Sequence, residues 1–176
     1  MESAIKAILS RRSMRKFTDE PVSQEALDQL LQAAMSAPSA MNSQPWEFVV
    51  VSEPERLAKL RVVLPFGKFK APAAIIVCGS PRAAKNPSGL MFWVQDCTAA
   101  AENILIAATD LGLGSCWIGI HPIPMIGKLV KNAFKLPLGV IPLCAIYLGH
   151  PQFIKEPKPK YDPDRIHWQY YGQKSR

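Results

Sequence analysis

The stretch from Met91 to Leu111 most restricts what this chain can fold into. Val94, Cys97, Ala101, Ile104, Leu105, Ala108 and Leu111 recur at helical spacing and predict the longest helix of the chain. Asp96, Glu102, Asn103 and Asp110 interrupt it too often for a membrane span, since an ionisable side chain at the bilayer centre costs about 2.5–3.5 kcal/mol or more. Ala99-Ala100-Ala101 permits close approach by a neighbouring helix. Such a helix belongs in a core, and is a candidate for sharing between subunits. Gly112 and Gly114 end it.

Shorter segments alternate around it. Phe48–Val51, Ala73–Gly79, Ser115–Ile120 and Val140–Leu148 are apolar runs of strand length, and Pro142 argues for an edge or a bulge near the start of the last. Ile5, Ile8 and Leu9 predict a short helix from about Glu2 to Arg11. A second helix has Ser23 as N-cap and Glu25 in its first turn, then Ala26, Leu27, Leu30, Leu31 and Ala34 on one stripe to about Ala37. Others run from Pro54 to about Leu60 or a little beyond, and from about Met125 to Phe134. Pro81, Pro87 and Gly89 give Ser80–Gly89 turn chemistry, and the segment reads as mobile. At 176 residues the chain is expected to form one domain, residues 1–176, of α+β class with a central sheet in a three-layer arrangement. Residues 150–176 lack periodicity but carry Ile166, Trp168, Tyr170 and Tyr171. A frayed tail is one reading. An arm wrapping a partner subunit is favoured, because aromatics at this density are costly to leave in water.

The chemistry-bearing stretch is Arg11-Arg12-Ser13-Met14-Arg15-Lys16-Phe17. If extended, it places Arg11, Ser13, Arg15 and Phe17 on one face. Two guanidinium forks flanking a hydroxyl suit a phosphate dianion. A solvated basic patch or a weak nucleic-acid contact has the same composition. The net charge of +7 favours anionic partners, and it gathers towards the two ends of the chain rather than along one helix. That distribution suits a small anionic cofactor better than duplex nucleic acid, which calls for a continuous stripe. Gly112-Leu113-Gly114 lacks the third glycine of a dinucleotide fingerprint and follows a helix, so a nucleotide's phosphate would fall to arginines. Pro38-Ser39-Ala40-Met41-Asn42-Ser43-Gln44-Pro45-Trp46 is a polar loop bounded by prolines. It reads either as a connection or as two amides and two hydroxyls that bond a heteroaromatic ring edge.

Other classes are set aside on composition. With 48% hydrophobic and 20% charged residues the chain is not a disordered protein, and its apolar balance points to a subunit interface. Cys78, Cys97, Cys116 and Cys144 sit in apolar runs without metal-ligand spacing and read as buried thiols. His121, His150 and His167 are too scattered for a metal set. No Ser-His-Asp or Cys-His pairing announces a catalytic group. The start, Met1-Glu2-Ser3-Ala4-Ile5-Lys6, has no signal-peptide pattern, so the chain reads as cytoplasmic, with no membrane partner.

Four motifs in order resemble the FMN-dependent nitroreductase family over nearly the whole chain. They are Arg-Arg-Ser-x-Arg at 11–15, Ala-Pro-Ser-x-x-Asn-Ser-Gln-Pro-Trp at 37–46, Gly-Leu-Gly-Ser-Cys-Trp-Ile-Gly at 112–119, and Leu-Gly-His-Pro from 148 followed by Lys-Pro-Lys. The resemblance implies a mostly antiparallel sheet flanked by helices, and a homodimer with an exchanged C-terminal arm and two FMN sites at the subunit interface. It implies that Arg11, Arg12, Ser13 and Arg15 hold the phosphate and ribityl end, with Lys158 or Lys160 closing on the phosphate. Pro38, Ser39 and Ala40 would reach the flavin from the other subunit, Asn42 lying in the same loop, and Ile118 and Gly119 would offer backbone near the ring. Ala40 stands where the family commonly has a second serine, leaving that contact to backbone, and the tail pair is lysines rather than an arginine. The implied activity passes a hydride from NADH or NADPH through FMN to a nitroaromatic, quinone or similar small-molecule oxidant in a ping-pong scheme, without a dedicated acid or base. A flavin-binding redox sensor, or a family member devoted to flavin destruction, or to dehydrogenating or dehalogenating one metabolite, would carry the same motifs.

Overall fold

The computed structural model describes residues 4–174. Its centre is a four-stranded antiparallel sheet of β1 (Trp46–Val51), β2 (Ala73–Gly79), β3 (Gly114–Gly119) and β4 (Ile141–Gly149), in spatial order β1-β2-β4-β3. The helices are α1 (Ala4–Ser10), α2 (Gln24–Met35), α3 (Pro54–Val63), α4 (Ser88–Asp110) and α5 (Pro124–Phe134). Alternation along the strands sends side chains to two cores. On one face Leu27, Leu30 and Ala34 of α2 and Cys97, Ala101 and Ile104 of α4 pack with Ile75, Val77, Ile146 and Leu148. On the other, Leu57 and Leu60 of α3 and Ile126 and Val130 of α5 pack with Ala74, Ile76, Ala145 and Tyr147. This is the expected three-layer order. Strands covered on both faces need apolar residues at every position, so β2 and β4 are continuous apolar runs.

The boundaries follow local chemistry. Ser23 Oγ accepts the Ala26 N–H at 3.1 Å and opens α2. Pro142 does not mark an edge, because β4 is a central strand. It faces Cys78 where the register slips between Val77 and Cys78, so a bulge takes the missing N–H out of the ladder. The turn-rich segment from Ser80 is tied down: Ser80 N–H donates to Pro45 O and Lys85 N–H to Ser43 O. α1 is a helix as expected, although the expected start at Glu2 lies outside the described residues. It rests on Ala7 and turns its longer side chains outward: Ile5, Ile8 and Leu9 are 70%, 51% and 69% exposed. In the tail, Tyr161, Tyr170 and Tyr171 are exposed on the single chain, and Ser175 and Arg176 lie outside the described residues. Among the described residues no helix is long and apolar enough to cross a membrane.

The four cysteines are buried free thiols. Burial pushes Cys78 and Cys97 up to about 12 from an ordinary 9.0, and raises Cys116 and Cys144 as well. Burial also lifts Tyr147, whose hydroxyl donates to Gly67 O at 3.1 Å, to about 12. The folded chain therefore keeps protons that the unfolded chain loses above pH 9. Stability from these groups is fully present below that pH and falls as pH rises towards 12. Chemical denaturation at a pH series should give a midpoint insensitive to these groups below pH 9 and declining above it, and a thiol reagent should label the cysteines only after unfolding.

Candidate functional site

The cationic segment is laid across the end of the sheet where β3 and β4 meet. Met14 N–H donates to Ser115 O at 2.9 Å, Thr18 N–H to His150 O at 2.9 Å, and Gln152 N–H to Lys16 O at 3.2 Å, while Gln152 Nε2 reaches Phe17 O at 2.8 Å. Met14 and Phe17 are the buried anchors. Inward positions are thus three apart rather than two, which corrects the expectation that Phe17 shares a face with Arg11, Ser13 and Arg15. Phe17 faces Phe69 with ring centroids 6.3 Å apart, whereas Ser13 and Arg15 are exposed and Arg11 and Arg12 half-buried. Two glycines paired across β3 and β4 make this close crossing possible. A Cβ on Gly149 would stand 3.1 Å from Phe17 Cβ, and 2.5 Å from Pro72 Cδ before β2, and one on Gly114 would stand 3.0 Å from Met14 Cβ.

The crossing gathers charge. Arg11, Arg12, Ser13, Lys155, Glu156, Lys158 and Lys160 line an open depression of about 470 Å³. Arg12 Nε and Nη2 both donate to Glu156 O, at 3.0 and 2.9 Å, and so pin the tail to the cationic segment. Arg11 Nε lies 3.7 Å from Glu102 Oε1, beyond hydrogen-bond length. With five cations and a single carboxylate around it, the depression has a donor set that suits an anion. Lys158 and Lys160 both line it; Arg15 does not. Lys155, which lies outside the four motifs, joins the set, and its Nζ lies 3.5 Å from Ser13 O. At the end of β3, Ile118 is buried and Gly119 is exposed, with nothing within 4 Å of where a Cβ would stand. That leaves room for a flat group beside the strand.

The 38–44 loop sits apart from the depression and is built differently. Met41, Asn42 and Gln44 have φ of 49°, 55° and 46°. Left-handed backbone costs about 1–2 kcal/mol for a residue with a Cβ, least for asparagine, so something must impose it. Several bonds do. Gln44 N–H donates to Ser39 Oγ at 3.1 Å, Gln44 Nε2 to Asn42 Oδ1 at 2.8 Å, and Asn86 Nδ2 to Met41 O at 2.9 Å. From α4, Asp96 Oδ1 accepts the Ala40 N–H at 3.0 Å and Oδ2 accepts the Ser43 hydroxyl at 2.8 Å. Most of the amides and hydroxyls expected to meet a ligand edge are thus engaged within the loop. Ala40 is engaged at both ends, because its carbonyl accepts the Ser43 N–H at 2.9 Å. Its N–H is thus committed to Asp96, while its carbonyl keeps a second lone pair. Asp96 had been visible in the sequence only as an interruption of an apolar helix. A carboxylate on the core side of such a helix was itself the signal.

The histidines stay scattered: His121 packs edge-on against Trp93, His150 Nε2 lies 3.6 Å from Glu20 Oε1, and His167 Nδ1 accepts the Gly172 N–H. Among the described residues no three His, Cys, Asp or Glu side chains are placed to hold a metal ion.

The sequence matches the family described as "Nitroreductase family" over residues 8–64 and 61–150. An Archaeoglobus fulgidus protein provisionally named NADH dehydrogenase/NAD(P)H nitroreductase is 42% identical over 95% of this chain and 98% of its own. A Bacillus subtilis protein named FMN reductase [NAD(P)H] is 31% identical over 96% of this chain and 74% of its own. A solved structure, an FMN-dependent nitroreductase from Clostridium difficile, superposes with a TM-score of 0.85 at 31% identity, covering 95% of this chain and 99% of that one.

Proposed function

The chain belongs to the nitroreductase family, and on that premise we propose that it is an FMN-dependent oxidoreductase working between NADH or NADPH and a nitroaromatic, quinone or similar small acceptor. The cation-lined depression formed by Arg11, Arg12, Ser13 and the tail lysines carries this reading. Its donor set fits the phosphate end of FMN, and the open space at Gly119, at the other end of β3 from the Ser13–Ser115 bridge, fits a flat ring. Bound there, FMN supplies reversible two-electron chemistry, so that donor and acceptor use one place in turn, a ping-pong order.

The chain's own residues bind, orient and shield. The Arg11 guanidinium and the Ser13 hydroxyl are exposed enough to reach phosphate oxygens. Arg12 supplies charge while holding Glu156, which brings Lys155, Lys158 and Lys160 over the same depression. Ile118 and Gly119 offer strand-end backbone to the ring. Pro38, Ser39, Ala40 and Asn42 do not line the depression on their own chain, and we read them as reaching the ring from a second copy. That separation and the outward Ile5, Ile8 and Leu9 of α1 support a homodimer. Cations converging on a pocket of this size, rather than along a stripe, suit a mononucleotide and not nucleic acid.

The purified protein is expected to be yellow or to take up FMN, and to lose that colour anaerobically with NADH or NADPH and regain it with a quinone or nitroaromatic. A colourless protein that refuses added FMN would sink the reading. Colour that resists both nicotinamides would leave a flavin binder without this activity.

A further inference from the structure

We propose that Asp96 is a positioning residue for the flavin: its carboxylate fixes the 38–44 loop in the shape that meets the ring. The inference rests on reading that loop as a flavin contact. Asp96 is 5% exposed, among Cys97, Ala100 and Ala101 of the α4 core face. A carboxylate buried there is costly unless its lone pairs are used. Both oxygens serve the loop and bind groups 56 and 53 positions away in sequence, Ala40 N–H and the fully buried Ser43 hydroxyl.

Those two bonds bracket the strained residues. Met41 and Asn42 lie between the bonded groups and Gln44 follows, all left-handed. The loop's remaining ties run to itself, to the segment after β2 and to the first residue of α4, where the Ser88 hydroxyl donates to Met41 Sδ at 3.1 Å. Asp96 is the buried tie, two turns further along that helix, so it references the loop to the rigid core. With Ser43 buried, the ring would meet the outward surface that Pro38, Ser39, Ala40, Met41 and Asn42 present. The height of that surface is set from below by Asp96.

The test compares wild type with Asp96→Ala, Asp96→Asn and Ser43→Ala. Amide hydrogen exchange over residues 39–45 is read without flavin, and dissociation constants are measured for FMN and for riboflavin, which has no phosphate. Asp96→Ala should speed exchange at Ala40 and Gln44 and weaken both flavins equally, by about tenfold. Asp96→Asn should stay within about threefold of wild type, since an amide can accept from Ala40 and donate to Ser43. Ser43→Ala, which removes one bond and leaves the charge, should fall between, and it serves if Asp96→Ala does not fold. Wild-type flavin affinity in Ser43→Ala or Asp96→Ala, or Asp96→Asn as weak as Asp96→Ala, would overturn the proposal while the function stands. A wild-type protein that takes neither flavin overturns the function reading itself, and this inference with it.

Discussion

Replacing Arg11 and Arg12 together by alanine is expected to weaken FMN binding by about 10²–10⁴-fold while leaving riboflavin binding within a few-fold. Charge-assisted hydrogen bonds contribute about 1.5–3 kcal/mol each, so removing two such donors from one anion costs roughly 3–6 kcal/mol. Arg12 has a second effect, since its two bonds to Glu156 O disappear and the lysines of the tail lose their tether. Arg15→Ala is expected to cost only a few-fold, because Arg15 sits outside the lining and acts through its field. The same geometry predicts that FMN affinity falls with rising salt and riboflavin affinity does not. Fluorescence titration of each variant with both flavins reads all of this. An Arg11→Ala/Arg12→Ala protein with wild-type FMN affinity would remove the cation depression as the phosphate site.

The contrast between Arg11 and Arg15 was not available from the sequence, and the reason is instructive. Alternation predicts both on one face of an extended segment, and it would be right for a strand inside the sheet. The segment instead crosses the sheet's end with single bridges at Ser13 and Phe17, so packing at Met14 and Phe17 sets a spacing of three. Regular elements were legible because their apolar positions serve one neighbour each. Ile75, Val77 and Ile146 look the same in sequence as in the core. The site was legible as motifs but not as places: the 38–44 loop does not line the depression that the cationic segment forms with the tail, and no local pattern encodes that separation. Asp96 illustrates the remainder. Its role depends on partners more than fifty positions distant, and in the linear sequence it registers only as a polar break in a helix. Ile5, Ile8 and Leu9 form the helical stripe that periodicity finds, but periodicity does not say whether a stripe faces the chain's own core or another surface.

Gly149→Ala is expected to destabilise the fold by about 3 kcal/mol and to weaken FMN binding with it. Overpacking a well-filled site costs about 1–3 kcal/mol, and the upper end applies where no flexible side chain can yield. Here the added methyl would meet Pro72 Cδ at 2.5 Å, Pro72 Cγ at 2.7 Å and Phe17 Cβ at 3.1 Å. A proline ring is fixed to its backbone and the third contact is a Cβ, so relief must come from moving the chain before β2 or lifting residues 16–18 off the sheet. The second route is the easier, because it breaks few bonds, those from Thr18 N–H to His150 O, from Gln152 N–H to Lys16 O and from Gln152 Nε2 to Phe17 O, along with the packing of the Phe17 ring. Lifting that segment also displaces Arg11, Arg12 and Ser13 from the tail lysines. Gly114→Ala, with contacts of 3.0–3.1 Å to Met14 and Phe17, should show the same pattern at smaller size. Gly127→Ala is the opposing control: it lies in α5 with nothing within 4 Å, and should stabilise by about 0.5–1 kcal/mol through helix propensity alone. Denaturant midpoints and FMN titrations on the three variants separate crowding at the crossing from a general intolerance of glycine replacement. A Gly149→Ala protein as stable as wild type would mean that Pro72 and Phe17 do not close on Gly149 as these distances require, and a neutral Gly114→Ala beside it would remove the crossing of the cationic segment as well.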